Sequence, residues 1–237
     1  LADAATVERV KQEIAAGEIT DMEDLFLVAY QHLGADLEEE GMTAYINEDG
    51  TLGFTQIISS NNSRTRSGTL IEKDIAITSI LLVDNEGNQV SDFELVFIPD
   101  DHTYSGGIAD LLVYATHTAY YTNKYEDYGY GFVGKEWVKF NFMSTTIRYE
   151  GSTFSASRLV QYYEGYQGYD FPTVTTDSLT RTSPTATTYE FRPDGTQYYL
   201  VRCDEAAGGH IKSRSTIYIA NSSRYFTIEA PLYLFGD

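Results

Sequence analysis

From Met42 onward, apolar and polar side chains alternate in short runs, and turn-forming residues fall between the runs. A period of two puts successive side chains on opposite faces of an extended backbone, so each run predicts a strand with one buried face. Asp49-Gly50 separates Thr43–Asn47 from Leu52–Ser59, Glu86-Gly87-Asn88 separates Ile75–Val83 from Val90–Ile98, and Asp194-Gly195 separates Thr188–Arg192 from Gln197–Cys203. Each of these three pairs predicts a hairpin. Further strands are predicted over Leu111–Tyr121, Phe132–Tyr149, Phe154–Tyr163, Ser215–Ala220 and Tyr225–Ala230. About eleven strands without helical periodicity between them predict a mainly β fold, an antiparallel β-sandwich or barrel rather than a parallel α/β sheet.

The first 41 residues follow a different period. Val7, Val10 and Ile14 recur at helical spacing with Gly17 as a C-terminal cap, and Thr20 with Glu23 forms a capping-box pattern ahead of Leu25, Phe26, Val28, Ala29 and Leu33, closed by Gly34. Helices this short are marginal alone, so a hairpin over 1–41 is expected to dock on a β domain over 42–237. A Thr- and Ser-rich tract at 172–188 reads either as a sub-boundary within that domain or as edge strand.

Composition narrows the function classes. The net charge is −19, and residues 1–50 carry 13 acidic against 2 basic side chains. A field of that sign repels phosphate backbones, and no run of Lys or Arg offsets it, so nucleic acid is not an expected partner. No apolar stretch reaches the roughly 20 residues of a membrane-spanning helix. The single cysteine, Cys203, excludes an intrachain disulfide and a Cys-rich zinc site, and its strand phase, shared with Tyr199 and Val201, marks it as a small buried hydrophobe. The chain opens on Leu1-Ala2-Asp3, which together with its β-rich, Tyr-rich character reads as an exported bacterial protein, extracellular or at the cell surface, with its signal removed.

Motifs for chemistry are sparse. No dinucleotide fingerprint, phosphate-binding loop, zinc-protease or nucleophile-elbow pattern occurs, and no cofactor is expected. Asp100-Asp101-His102 gathers metal-type ligands without a second ligand set, and Asp84 to Leu95 begins like a calcium loop but lacks its Gly and its terminal Glu, so no metal site is assigned.

One feature resists an ordinary reading. Tyr125-Glu126-Asp127-Tyr128-Gly129-Tyr130 and Tyr163-Glu164-Gly165-Tyr166-Gln167-Gly168-Tyr169-Asp170 both mix Tyr with Gly and acids, and twelve of the 20 Tyr fall between Tyr104 and Tyr169. Tyr supplies a rigid amphipathic face, and Gly at 129, 131, 165 and 168 marks loops, bulges or close approach. Trp137 falls on the strand phase opposite Val138, Phe140 and Phe142. The expectation is a non-catalytic binding patch: Tyr125, Tyr128, Tyr130, Tyr163, Tyr166, Tyr169 and Trp137 stack on a glycan or an extended protein segment, and Glu126, Asp127, Glu164 and Asp170 accept hydrogen bonds, the two segments meeting at one rim of a sheet. Two alternatives share these residues: a carbohydrate-active hydrolase using a carboxylate pair, and a structural or assembly subunit packing its Tyr against a partner.

Overall fold

The computed structural model describes residues 52–83, 113–129, 133–149, 155–167, 173–202 and 209–230, the backbone of 42–46, and Gln12, Ala16 and Gly17. The expected helical hairpin over 1–41 lies outside these residues except for those three. So do Val90–Ile98, the Asp100–His102 loop and Cys203.

Eleven strands form two antiparallel sheets among the described residues. The larger runs β1 (Met42–Ile46), β2 (Leu52–Arg64), β3 (Thr69–Val83), β4 (Val113–Asp127) and β5 (Val133–Tyr149), with β8 (Thr188–Phe191) and β9 (Tyr198–Arg202) both paired to β5. The smaller has the order β11 (Tyr225–Ala230), β10 (Gly209–Ile219), β6 (Ala156–Gln167), β7 (Thr173–Thr182). The inner faces of the two sheets share a core, as in a sandwich. At one end Ile75, Ile77, Tyr121, Val138 and Phe140 of the larger sheet meet Tyr163 and Ile211 of the smaller; at the other Leu81, Ala115 and Ile147 meet Leu159, Ile217 and Phe226.

A polar layer crosses between these two apolar clusters. Alternation along β3 gives Ile77, Ser79, Leu81; along β4 Ala115, His117, Ala119; along β5 Met143, Thr145, Ile147; along β6 Leu159, Gln161, Tyr163. Ser79, His117, Thr145 and Gln161, with Ser213 and Ser215 of β10, are each at most 1% exposed. Such burial is tolerable only when the groups bond one another. His117 does so at both ring nitrogens, Nδ1 to Ser215 Oγ and Nε2 to Ser213 Oγ, each at 2.9 Å.

Two local expectations change. β8 and β9 are not a hairpin: β8 pairs with Met143–Thr146 and β9 with Glu136–Lys139, so they follow one another along the same edge of β5. Between them lie the buried Pro193, which has no N–H to donate, and Gly195, at φ 72°, with the backbone N–H of Asp194 donating to Asp177 of β7 at 2.9 Å. The phase of Trp137 and Val138 does not extend to Phe142. Tyr120 pairs with Phe142 while Tyr121 pairs with Phe140, leaving Asn141 as a bulge that turns Phe142 to the outer face. There Phe142 stacks on Tyr120 (4.0 Å between centroids), and the Arg192 guanidinium covers it at 4.1 Å. The Thr- and Ser-rich tract forms the edge strand β7 and then the crossing from the smaller sheet to β8 in the larger.

Candidate functional site

A cavity of about 360 Å³ lies on the outer face of the larger sheet, lined by Leu70, Lys124, Glu126, Trp137 and Tyr198. Register builds it. Leu70 of β3 pairs with Glu126 of β4, Lys124 pairs with Trp137 of β5, and β5 carries Tyr198 of β9 opposite Lys139. Each position is outward because its neighbour is inward: Val138 and Tyr199 are fully buried beside Trp137 and Tyr198. The groove therefore runs as a transverse row across four strands, with apolar surface from Leu70, Trp137 and Tyr198 and one charge of each sign.

Around this row the polar groups are held in place. Tyr128, 45% exposed, donates from Oη to Glu126 Oε2 at 2.5 Å. Its ring lies against the bare backbone of Gly134, where a Cβ would come within 2.3 Å of it. The Lys124 and Lys139 ammonium groups sit 5.8 and 6.0 Å from the Tyr198 ring centroid, within cation–π range. Burial first, and then the carboxylates of Glu72 and Asp74, push the Tyr198 phenol above its ordinary pKa, so it stays a neutral donor. Asp74 is itself fixed by Ser59 (2.7 Å) and Thr122 (2.8 Å).

The sequence-derived residues divide among several places. Glu126 and Trp137 line the groove, and Tyr128 bonds Glu126 beside it. Asp127 serves the turn, accepting from the backbone N–H of Gly129 at 2.7 Å, with Gly129 at φ 86°. Tyr125 has the phase opposite Glu126, with the Lys73 ammonium 5.5 Å from its ring. Tyr163 is a core residue: fully buried, 4.8 Å from Phe140 between ring centroids, its phenol pKa raised by burial and by the Tyr199 hydroxyl. Gly165 sits under these two tyrosines, and a Cβ there would lie 2.4 and 2.5 Å from their hydroxyl oxygens.

Glu164 and Tyr166 face outward from the smaller sheet. Tyr166 stacks on His210 at 4.9 Å, and Glu164 bonds His210 Nε2 and the Tyr162 hydroxyl, both at 2.9 Å. Those two bonds hold the Glu164 carboxyl below its ordinary pKa, the His210 bond contributing most. β4 and β6 run the same way, so both Tyr/Gly segments lie at one end of the sandwich. Their described outward side chains nevertheless point to opposite faces and do not make one patch. Tyr130, Tyr169 and Asp170 lie outside the described residues.

Leu70, Lys124 and Tyr198 were not singled out from the sequence. The only signal for Leu70 and Lys124 was strand phase, and for Tyr198 its place beside the buried Tyr199; bringing them to Trp137 requires the register of four strands from distant parts of the chain. Among the described residues no group of three or more His, Cys, Asp or Glu side chains could hold a metal ion, and no helix is long and apolar enough to cross a membrane. The sequence matches no protein-family model, and comparison with curated proteins and with solved structures finds no similar chain.

Proposed function

We propose that this chain is a non-catalytic glycan-binding domain, exported and working outside a bacterial cell, whose contact surface is the groove of Trp137, Tyr198 and Leu70. The observation that carries this reading is aromatic and aliphatic surface in one cavity with a carboxylate and an ammonium group. The apolar CH face of a sugar ring stacks on Trp and Tyr, while its hydroxyls donate to Glu126 and accept from Lys124 and the Tyr198 phenol. The charge of −19 favours neutral or cationic sugars over acidic polysaccharides. Glu126 is the one carboxylate lining the cavity among the described residues, whereas hydrolysis of a glycosidic bond calls for two flanking it.

The test is a glycan array with the wild type and the Trp137→Ala and Tyr198→Ala variants, run beside a peptide array. The proposal expects a neutral-glycan signal that both variants reduce at least tenfold. Binding confined to peptides, or glycan binding that both variants retain, would overturn it.

A further inference from the structure

The polar layer inside the sandwich contains the parts of an acyl-transfer reaction. The Thr145 and Ser215 hydroxyl oxygens are 2.6 Å apart, and Ser215 Oγ is 2.9 Å from His117 Nδ1. In the tautomer protonated at Nε2, His117 donates to Ser213 and accepts from Ser215, which in turn accepts from Thr145. On the other side of Thr145, Gln161 Nε2 donates to Thr145 Oγ1 at 2.9 Å and to the Tyr189 carbonyl oxygen at 3.1 Å. The Gln161 carbonyl oxygen takes a hydrogen bond from the Arg181 guanidinium, which also donates to the Glu190 carbonyl oxygen. A hydroxyl linked to a base thus lies against a carboxamide whose oxygen is already polarised by a cation.

We propose that Thr145 and Gln161 react with each other to form an ester that covalently joins β5 of the larger sheet to β6 of the smaller. Thr145 Oγ1 adds to the side-chain carbonyl carbon of Gln161, forming the C–O bond and moving the carbonyl π electrons onto Oε1 against Arg181. The Thr145 proton passes to Ser215 as the Ser215 proton passes to His117 Nδ1. Collapse of the adduct breaks the bond to Nε2; His117 returns its proton to Ser215 as Ser215 gives its own to the departing nitrogen, and ammonia leaves. The balance is one hydroxyl plus one primary amide giving one ester plus one ammonia, with no change in oxidation state and no co-reactant.

Two features of the site favour this step. Thr145, Gln161, Ser215 and His117 are at most 1% exposed, so bulk water does not compete as nucleophile. Both reacting groups are held by the fold, Thr145 Oγ1 lying 2.9 Å from the Gln161 amide nitrogen, so the step is intramolecular and needs no association of separate molecules. Burial lowers the His117 pKa to about 3, so the ring is a neutral acceptor for Ser215 but a weak base, which makes the step slow. The reaction happens once per molecule, so a half-time of hours suffices. Nothing in this inference depends on the groove or its ligand.

Intact-mass measurement of the purified wild type tests it, followed by peptide mapping. The expected mass is about 17 Da below that of the sequence, one ammonia, with the loss in a cross-linked peptide pair containing Thr145 and Gln161 that alkaline hydroxylamine separates. Thr145→Val restores the full mass, and Ser215→Ala, which interrupts the relay, leaves a large unmodified fraction at early times. The wild-type mass is decisive even if a variant fails to fold. Full mass after days of incubation near neutral pH would overturn the proposal, and so would a loss of ammonia that maps elsewhere, such as succinimide at an Asn.

Discussion

His117 is fully buried between two serines and carries no charge in the native state. Its folded pKa of about 3 lies below the unfolded value of 6.5. The unfolded chain therefore binds a proton that the folded chain refuses, and stability present above pH 6.5 is lost as the pH falls toward 3. From this group alone the slope is at most about 1.4 kcal/mol per pH unit. Urea denaturation between pH 7 and 4 should show that slope in the wild type and lose most of it in His117→Gln, which keeps hydrogen-bonding capacity without titrating. Gly165 gives a second residue-scale expectation. A Cβ there meets the buried Tyr163 and Tyr199 hydroxyls at 2.4 and 2.5 Å, so Gly165→Ala should destabilise by about 1–3 kcal/mol. Combining it with Tyr163→Phe and Tyr199→Phe, which removes both oxygens, should recover part of that loss in thermal melts.

Among elements, β5 shows how a single residue fixes two faces. The Asn141 bulge lets Val138 and Phe140 point inward before it and Met143, Thr145 and Ile147 point inward after it. Deleting Asn141 would force one of these halves outward. Exposing Val138 and Phe140 alone costs on the order of 3–6 kcal/mol, so the deletion should abolish soluble, cooperatively folding protein. Asn141→Ala removes only the hydrogen bond to Thr122 and should cost about 1 kcal/mol by denaturant titration. Period-two alternation made most strands legible: Tyr225–Ala230 matches β11, and Phe132–Tyr149 matches β5 within one residue. What alternation cannot show is an inserted residue, because Asn141 and its neighbours read as unbroken alternation until the partner strand is known. The same limit explains β8 and β9. Turn chemistry at Asp194-Gly195 resembles a hairpin, but two strands paired in series to β5 satisfy it equally well.

Across the whole molecule, the two Tyr/Gly segments were legible as unusual and their arrangement was not. Tyr128 and Glu126 are on one outer face, Tyr166 and Glu164 on the other, and Tyr163 is in the core, since alternation and two separate sheets disperse residues that are adjacent in sequence. The groove instead collects residues from β3, β4, β5 and β9. Trp137 is the chain's only tryptophan, so its fluorescence reports on that groove alone. The most direct measurement is a titration of Trp137 emission with neutral oligosaccharides drawn from the array. A saturable shift in intensity or wavelength is expected, weakened at least tenfold in Tyr198→Ala. Saturable glycan binding, detected calorimetrically, that leaves Trp137 emission unchanged would contradict it.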